Sequence, residues 1–270
     1  MDSKKEERSG FRSGARPFPV TEPILLTLGV GFISGYLSGQ LGVGGGLITT
    51  PAIRLALHRP AEIAIGTPLA VIIPSALVGA VNYARKGFID WLLVRRFVEA
   101  GIPGVIAGAF LTPVVGGKAV MLATAGVIAL VALRYIWREA PGAPSVRRRH
   151  GRLAHWVAGF ASGFYAGFLG LGGGVLMVPA LTYFGKDVKT AFGTSLVGVA
   201  AFAVPGTVLH YYLGNVDLNL AFLLAAGVIP GAYVGSAAAV RMSGRTLQLA
   251  FGLFLLVTAA YFALFEIAEL

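Results

Sequence analysis

The chain has 270 residues, 56% of them hydrophobic and 13% charged, with a mean hydropathy of +0.77; a soluble domain would carry about a quarter charged residues, so a water-facing globular surface is excluded. The net charge of +10 is no mark of a nucleic-acid binder, because Lys and Arg collect in the N-terminal tail and in short connections, where cytoplasm and anionic lipid headgroups are the expected surroundings. The absence of cysteine excludes disulfides, thiolate catalysis and Cys-ligated metals.

Taken in chain order, a basic tail over 1–20 (Lys4, Lys5, Arg8, Arg12, Arg16) comes first. It resembles the n-region of a signal peptide, but the apolar stretch behind it runs on from Ile24 past Ile53, which reads as an uncleaved first helix. A first transmembrane repeat over 21–137 then divides into apolar segments at 22–42, 46–57, 63–84, 97–114 and 118–137. The polar Pro/Gly/Arg run 138–152 is a linker. A second repeat over 153–270 holds segments at 153–170, 174–184, 189–212, 218–240 and 246–266. The stretches 65–84, 119–133, 153–185, 190–216, 218–240 and 246–265 contain no Asp, Glu, Lys or Arg. About 20 apolar residues span a bilayer as a helix, and only helices or closed barrels satisfy their own backbone there. Barrel strands alternate polar and apolar, whereas these runs are apolar on every face. The fold class is an all-α integral membrane protein.

The two repeats are read from self-similarity. Residues 31–46 (GFISGYLSGQLGVGGG) and 159–174 (GFASGFYAGFLGLGGG) agree at ten of sixteen positions. Pro51 and Pro179 keep the offset of 128; one residue is then lost, and Gly66-Thr67, Asp90 and Pro103-Gly104 meet Gly193-Thr194, Asp217 and Pro230-Gly231 at 127. The second segment of each repeat has about a dozen residues and follows the glycine-rich stretch. Such a helix rises roughly 18 Å, too little to cross unless it starts inside the membrane. If these segments re-enter without crossing, there are eight spans with both termini inside. If they cross, each repeat has five spans and the repeats are inverted, with the basic linker inside at the cost of an external basic tail. The inverted arrangement is favoured, because alternating access is repeatedly built from such repeats.

Consecutive glycines at Gly44-Gly45-Gly46 and Gly172-Gly173-Gly174 cost a helix about 1 kcal/mol each, so the helix is expected to break there. A break inside the bilayer leaves unpaired N–H groups at the start of the next half-helix, which with the helix dipole favour an anion. Gly31, Gly35, Gly39 and Gly159, Gly163, Gly167 recur every four residues and are expected to serve close helix packing. Thr67, Thr194 and Ser195 are candidate hydroxyl donors to the same anion, with bonding inside their own helix as the alternative. Gln40, Asn82 and His210 are candidate polar lining, His210 also for proton coupling or a structural hydrogen bond. Asp90 and Asp217 stand beside connections and are expected to cap helices.

The paired glycine motifs, each with a proline five residues on, followed by Gly193-Thr194-Ser195 and by Gly214 to Asp217, resemble the TauE/SafE sulfite-exporter family over roughly 25–265. The first half departs from the pattern at Gly66-Thr67-Pro68. The resemblance implies a secondary transporter of the bacterial-type inner membrane that moves sulfite, sulfoacetate or a similar organosulfonate, with H⁺ or Na⁺ as coupling ion and no cofactor. An anion channel is the alternative. An intramembrane Ser/His enzyme is disfavoured, since Ser195 and His210 fall fifteen positions apart on one predicted helix, about 22 Å along its axis. Four histidines without cysteine make no metal cluster, and no phosphate-cradling glycine loop of a primary pump occurs.

Overall fold

The computed structural model describes residues 24–57, 59–112, 117–137 and 151–268. Within them the chain is all helical: α1 Ile24–Leu41, α2 Gly46–Pro51, α3 Ala61–Arg85, α4 Trp91–Leu111, α5 Gly117–Trp137, α6 Arg152–Leu169, α7 Gly174–Tyr183, α8 Val188–Tyr212, α9 Leu218–Ala239 and α10 Gly244–Ala268. Five of these (α1, α3, α8, α9 and α10) contain segments long and apolar enough to cross a membrane. The tail 1–20 and most of the linker 138–152 lie outside the described residues.

The side chains at the helix starts explain where several helices begin. Asp90, Asp187 and Asp217 each accept a hydrogen bond from the backbone N–H three residues on, at Leu93, Thr190 and Leu220 (3.0 Å each). That satisfies one of the donors a helix start leaves open. Large apolar side chains such as Leu25, Phe110, Leu130, Phe222 and Val257 point outward, as lipid permits.

Small residues set how closely the helices approach, and their contacts give the directions. Gly31, Gly35 and Gly39 of α1 lie against the backbone of Leu224, Val228 and Ala232, so α1 and α9 run in parallel. Gly159, Gly163 and Gly167 of α6 lie likewise against Phe97, Gly101 and Val105 of α4. A Cβ at any of these six positions would press on a facing carbonyl, which is why the stripe carries none. In contrast α3 and α8 are antiparallel, with Leu69 facing Gly206 and Leu196 facing Gly79. Thr67 beside Asp217 and Asn82 beside Tyr233 align α3 with α9. Thr194 beside Asp90 and Phe202 beside Gly101 align α8 with α4. Helices α1, α3 and α9 therefore run one way and α4, α6 and α8 the other.

Between α1 and α3 the chain returns through α2, whose continuation packs Ile53 and Leu57 with Ile63, Leu220 and Leu224. Residues Ala52–Ala56 form a π-helical turn, closed by Leu57 N–H donating to Ala52 O (3.1 Å). A π-turn is an α-helix holding one additional residue. It lies between Pro51 and Gly66, where the offset between the halves changes from 128 to 127. The matching helix α7 runs as a regular α-helix.

The connections α3–α4, α7–α8 and α9–α10 gather on one face, where Lys186 pairs with Asp90 and Lys189 Nζ donates to Val240 O (3.0 Å). The end of α5 joins them, since the hydroxyls of Tyr135 and Thr182 are 2.6 Å apart. So does the start of α6, where the His155 ring lies tilted against Phe184 with the ring centroids 4.4 Å apart. Arg85, Lys86, Arg95, Arg96, Arg134, Arg152, Lys186, Lys189, Arg241 and Arg245 all lie toward this face.

Candidate functional site

The two glycine stretches break the helices as their composition predicts. Gly42, Gly44 and Gly45 have φ of 72°, 88° and 82°, and Gly170, Gly172 and Gly173 have 69°, 80° and 75°. A side chain in this left-handed region is strained, so glycine is what lets the chain turn back at both places. The helical ladder of α2 starts with Ile48 and Thr49 donating to Gly45 O, and that of α7 with Leu176 and Met177 donating to Gly173 O. The amides of Gly46, Leu47, Gly174 and Val175 precede those ladders.

The turns meet in the middle of the protein. A Cβ on Gly46 would stand 3.0 Å from Leu171 Cα and 3.1 Å from Gly170 O, and one on Gly174 2.6 Å from Val43 Cα. The structure thus sets Gly46 and Gly174 against the opposite turn and Gly44 and Gly172 against the same pair of side chains, Ile72 and Val199, whereas Gly45 and Gly173 face Ser34 and Ser162 of their own preceding helices.

Of the three hydroxyl candidates, Thr67 and Thr194 sit away from the turns. Thr67 Oγ1 accepts from Asp217 N–H (3.0 Å) and Thr194 Oγ1 from Asp90 N–H (2.9 Å). Both bonds tie a loop to a helix start. Thr67 precedes Gly79 by twelve residues, and Gly79 faces Leu196 beside Thr194. The two threonines are therefore separated by about 18 Å along α3 and belong to opposite ends of the α3–α8 pair. Ser195 is fully buried and donates to Gly42 O (2.9 Å), which anchors the first turn to α8.

Gln40 donates to Met242 Sδ (3.2 Å), and Asn82 ties α3 to α9 through Tyr233 O (3.0 Å) and Ser236 Oγ (2.9 Å). His210 is buried, with Nε2 3.5 Å from Gly167 O and Nδ1 3.4 Å from Asn215 Nδ2. At the corresponding place in the first half, Tyr83 donates its hydroxyl to Gln40 O (3.0 Å). Asp90, outside the spans, has a carboxyl that burial alone would raise. The Lys186 ammonium and the N–H groups of Leu93 and Leu92 outweigh that and hold it below its ordinary value.

A cluster not singled out in the sequence surrounds the first turn. Ser34 Oγ and Thr49 Oγ1 both donate to Gly45 O (3.0 and 3.1 Å), and Ser75 Oγ donates to Ser38 Oγ (3.0 Å). The corresponding positions around the second turn hold Ser162, Ala166, Met177 and Phe202, so three of the four hydroxyls have no counterpart there. Its signal was the spacing of Ser34 and Ser38 inside the glycine stripe of α1.

A bundle whose two broken helices meet at its centre is the build of a multi-pass membrane transporter. A family model described as the sulfite exporter TauE/SafE matches residues 27–262, and the chain belongs to that family. It is 28% identical to a probable membrane transporter protein of Xylella fastidiosa, over 89% of this chain and 95% of that one. It is 25% identical to the probable membrane transporter protein YunE of Bacillus subtilis, over 84% and 91%. To the probable membrane transporter protein MJ0441 of Methanocaldococcus jannaschii the identity is 23%, over 84% and 90%. No solved structure matches the chain.

Proposed function

We propose that this transporter is a secondary carrier of a small sulfur oxyanion, such as sulfite or sulfoacetate, across the inner membrane by alternating access. The observation that carries the reading is the meeting of the two glycine turns, in a family described by sulfite export. Their backbone offers neutral donors at half-helix starts, suited to an anion that must also be released. We assign the solute to these turns. Thr67, Thr194 and Ser195 brace the turns and connections instead, because their hydroxyls are bonded to the protein's own backbone.

Reciprocal packing of α1 on α9 and α6 on α4, with α3 antiparallel to α8, supports two inverted halves that rock about the crossing. The cationic face fits the cytoplasm by the positive-inside rule, which puts the linker inside and both termini outside. The reading is tested by thermal unfolding of the purified protein with added sulfite, sulfoacetate, chloride or a neutral sugar. A solute that binds only the folded state raises the melting temperature. Stabilisation by the sulfur anions over the others is expected; equal effects of all four would remove the substrate assignment.

A further inference from the structure

Two aliphatic side chains occupy the place where the glycine turns meet. Ile72 of α3 and Val199 of α8 are 1% and 0% exposed and lie where these antiparallel helices cross. A Cβ on Gly44 would collide with Val199 Cγ1 and stand 3.4 Å from Ile72 Cγ2. One on Gly172 would stand 3.1 Å from both Ile72 Cδ1 and Val199 Cγ1, and one on Gly46 3.0 Å from Ile72 Cδ1. The methyl groups of two residues thus fill hollows left by three glycines drawn from both turns. Methyls offer no hydrogen bonds, and an anion stripped of water cannot rest against them without a large desolvation cost. An anion at the turns requires these side chains to part.

The geometry points to Ile72 and Val199 as the gate that closes the path between the two glycine turns and sets the largest solute that passes. This rests on the transport reading above. Its rival is plain core packing, in which the two residues stay in contact permanently and trimming them lowers stability without touching selectivity.

Two measurements decide between them. The first uses Val199→Cys in this cysteine-free chain, in native membranes treated with a small water-soluble methanethiosulfonate. A gate opens, so the thiol is modified without denaturant; modification only after denaturation overturns the gate. The second compares sulfoacetate with sulfite flux in proteoliposomes bearing Ile72→Ala or Val199→Ala. The ratio is expected to rise roughly tenfold, the low end of what one hydrocarbon group discriminates in an apolar pocket. An unchanged ratio in folded protein overturns the size-setting role. If the unaltered protein carries neither anion, the substrate reading has failed, while the cysteine labelling still decides whether the crossing opens.

Discussion

Alanine at Gly45 and at Gly173 puts the same methyl on the same left-handed backbone in two different surroundings. At φ of 82° and 75° a side chain costs about 1–2 kcal/mol at either position. The neighbours differ. A Cβ on Gly45 would stand 3.1 Å from Ser34 Oγ, a hydroxyl that can rotate, and at an ordinary contact distance of 3.4 Å from Ser38 Cβ. On Gly173 it would stand 2.5 Å from Ser162 O and 3.2 Å from Ala166 Cβ. A carbonyl inside α6 cannot turn away, and overpacking of this kind adds about 1–3 kcal/mol. Gly173→Ala is therefore expected to lose about 2–5 kcal/mol and Gly45→Ala about 1–2 kcal/mol. Thermal and denaturant unfolding of both proteins in one detergent measures the difference. Equal stability, or a more stable Gly173→Ala, would refute the account of what the turns face. Gly45→Ala is accordingly the variant to carry into flux assays, where a folded but slowed protein is expected.

Ser195→Ala should lose about 1–3 kcal/mol of stability by leaving Gly42 O without its buried donor, and should leave sulfite affinity unchanged; a tenfold weaker affinity by calorimetry would return Ser195 to the solute site. Single cysteines placed in 142–150 should be shielded from impermeant maleimide in intact cells and one at the C-terminus labelled, and the opposite pattern would reverse the sidedness. Because the folded Asp90 carboxyl lies below its ordinary value, its pairing stabilises above the unfolded pKa of about 3.9 and is lost as pH falls through the lower folded value. Lys186→Met should therefore cost at most about 1 kcal/mol at neutral pH, the pair being partly exposed. It should also move the onset of acid unfolding to higher pH; an unshifted acid limb would remove this pair from the pH dependence.

Much of the helical plan was legible because apolar runs and glycine breaks are local signals. The expected 46–57 and 174–184 segments correspond to α2 with its π-turn and to α7. Helix α4 starts at Trp91 rather than near 97, because Arg95, Arg96 and Glu99 interrupt the apolar run while Asp90 caps the helix. The glycine turns were readable as turns, but what they pack against was not. Matched residues such as Thr67 and Thr194 look like one site in a sequence repeat, yet antiparallel packing of α3 on α8 sends them to opposite ends. Ser34 and Ser38 were hidden inside a stripe whose spacing reads as packing. Ile72 and Val199 carry no polar atom to draw notice, and only the crossing of their helices reveals their place.

The most direct test of the central claim is uptake of labelled sulfite and sulfoacetate into proteoliposomes under imposed pH and Na⁺ gradients. Saturable flux of at least one of these anions, which an opposing ion gradient can drive uphill, is expected. Flux that only ever follows the anion's own gradient would contradict a coupled carrier and favour a channel. No flux of either anion, from protein shown to be folded, would contradict the substrate.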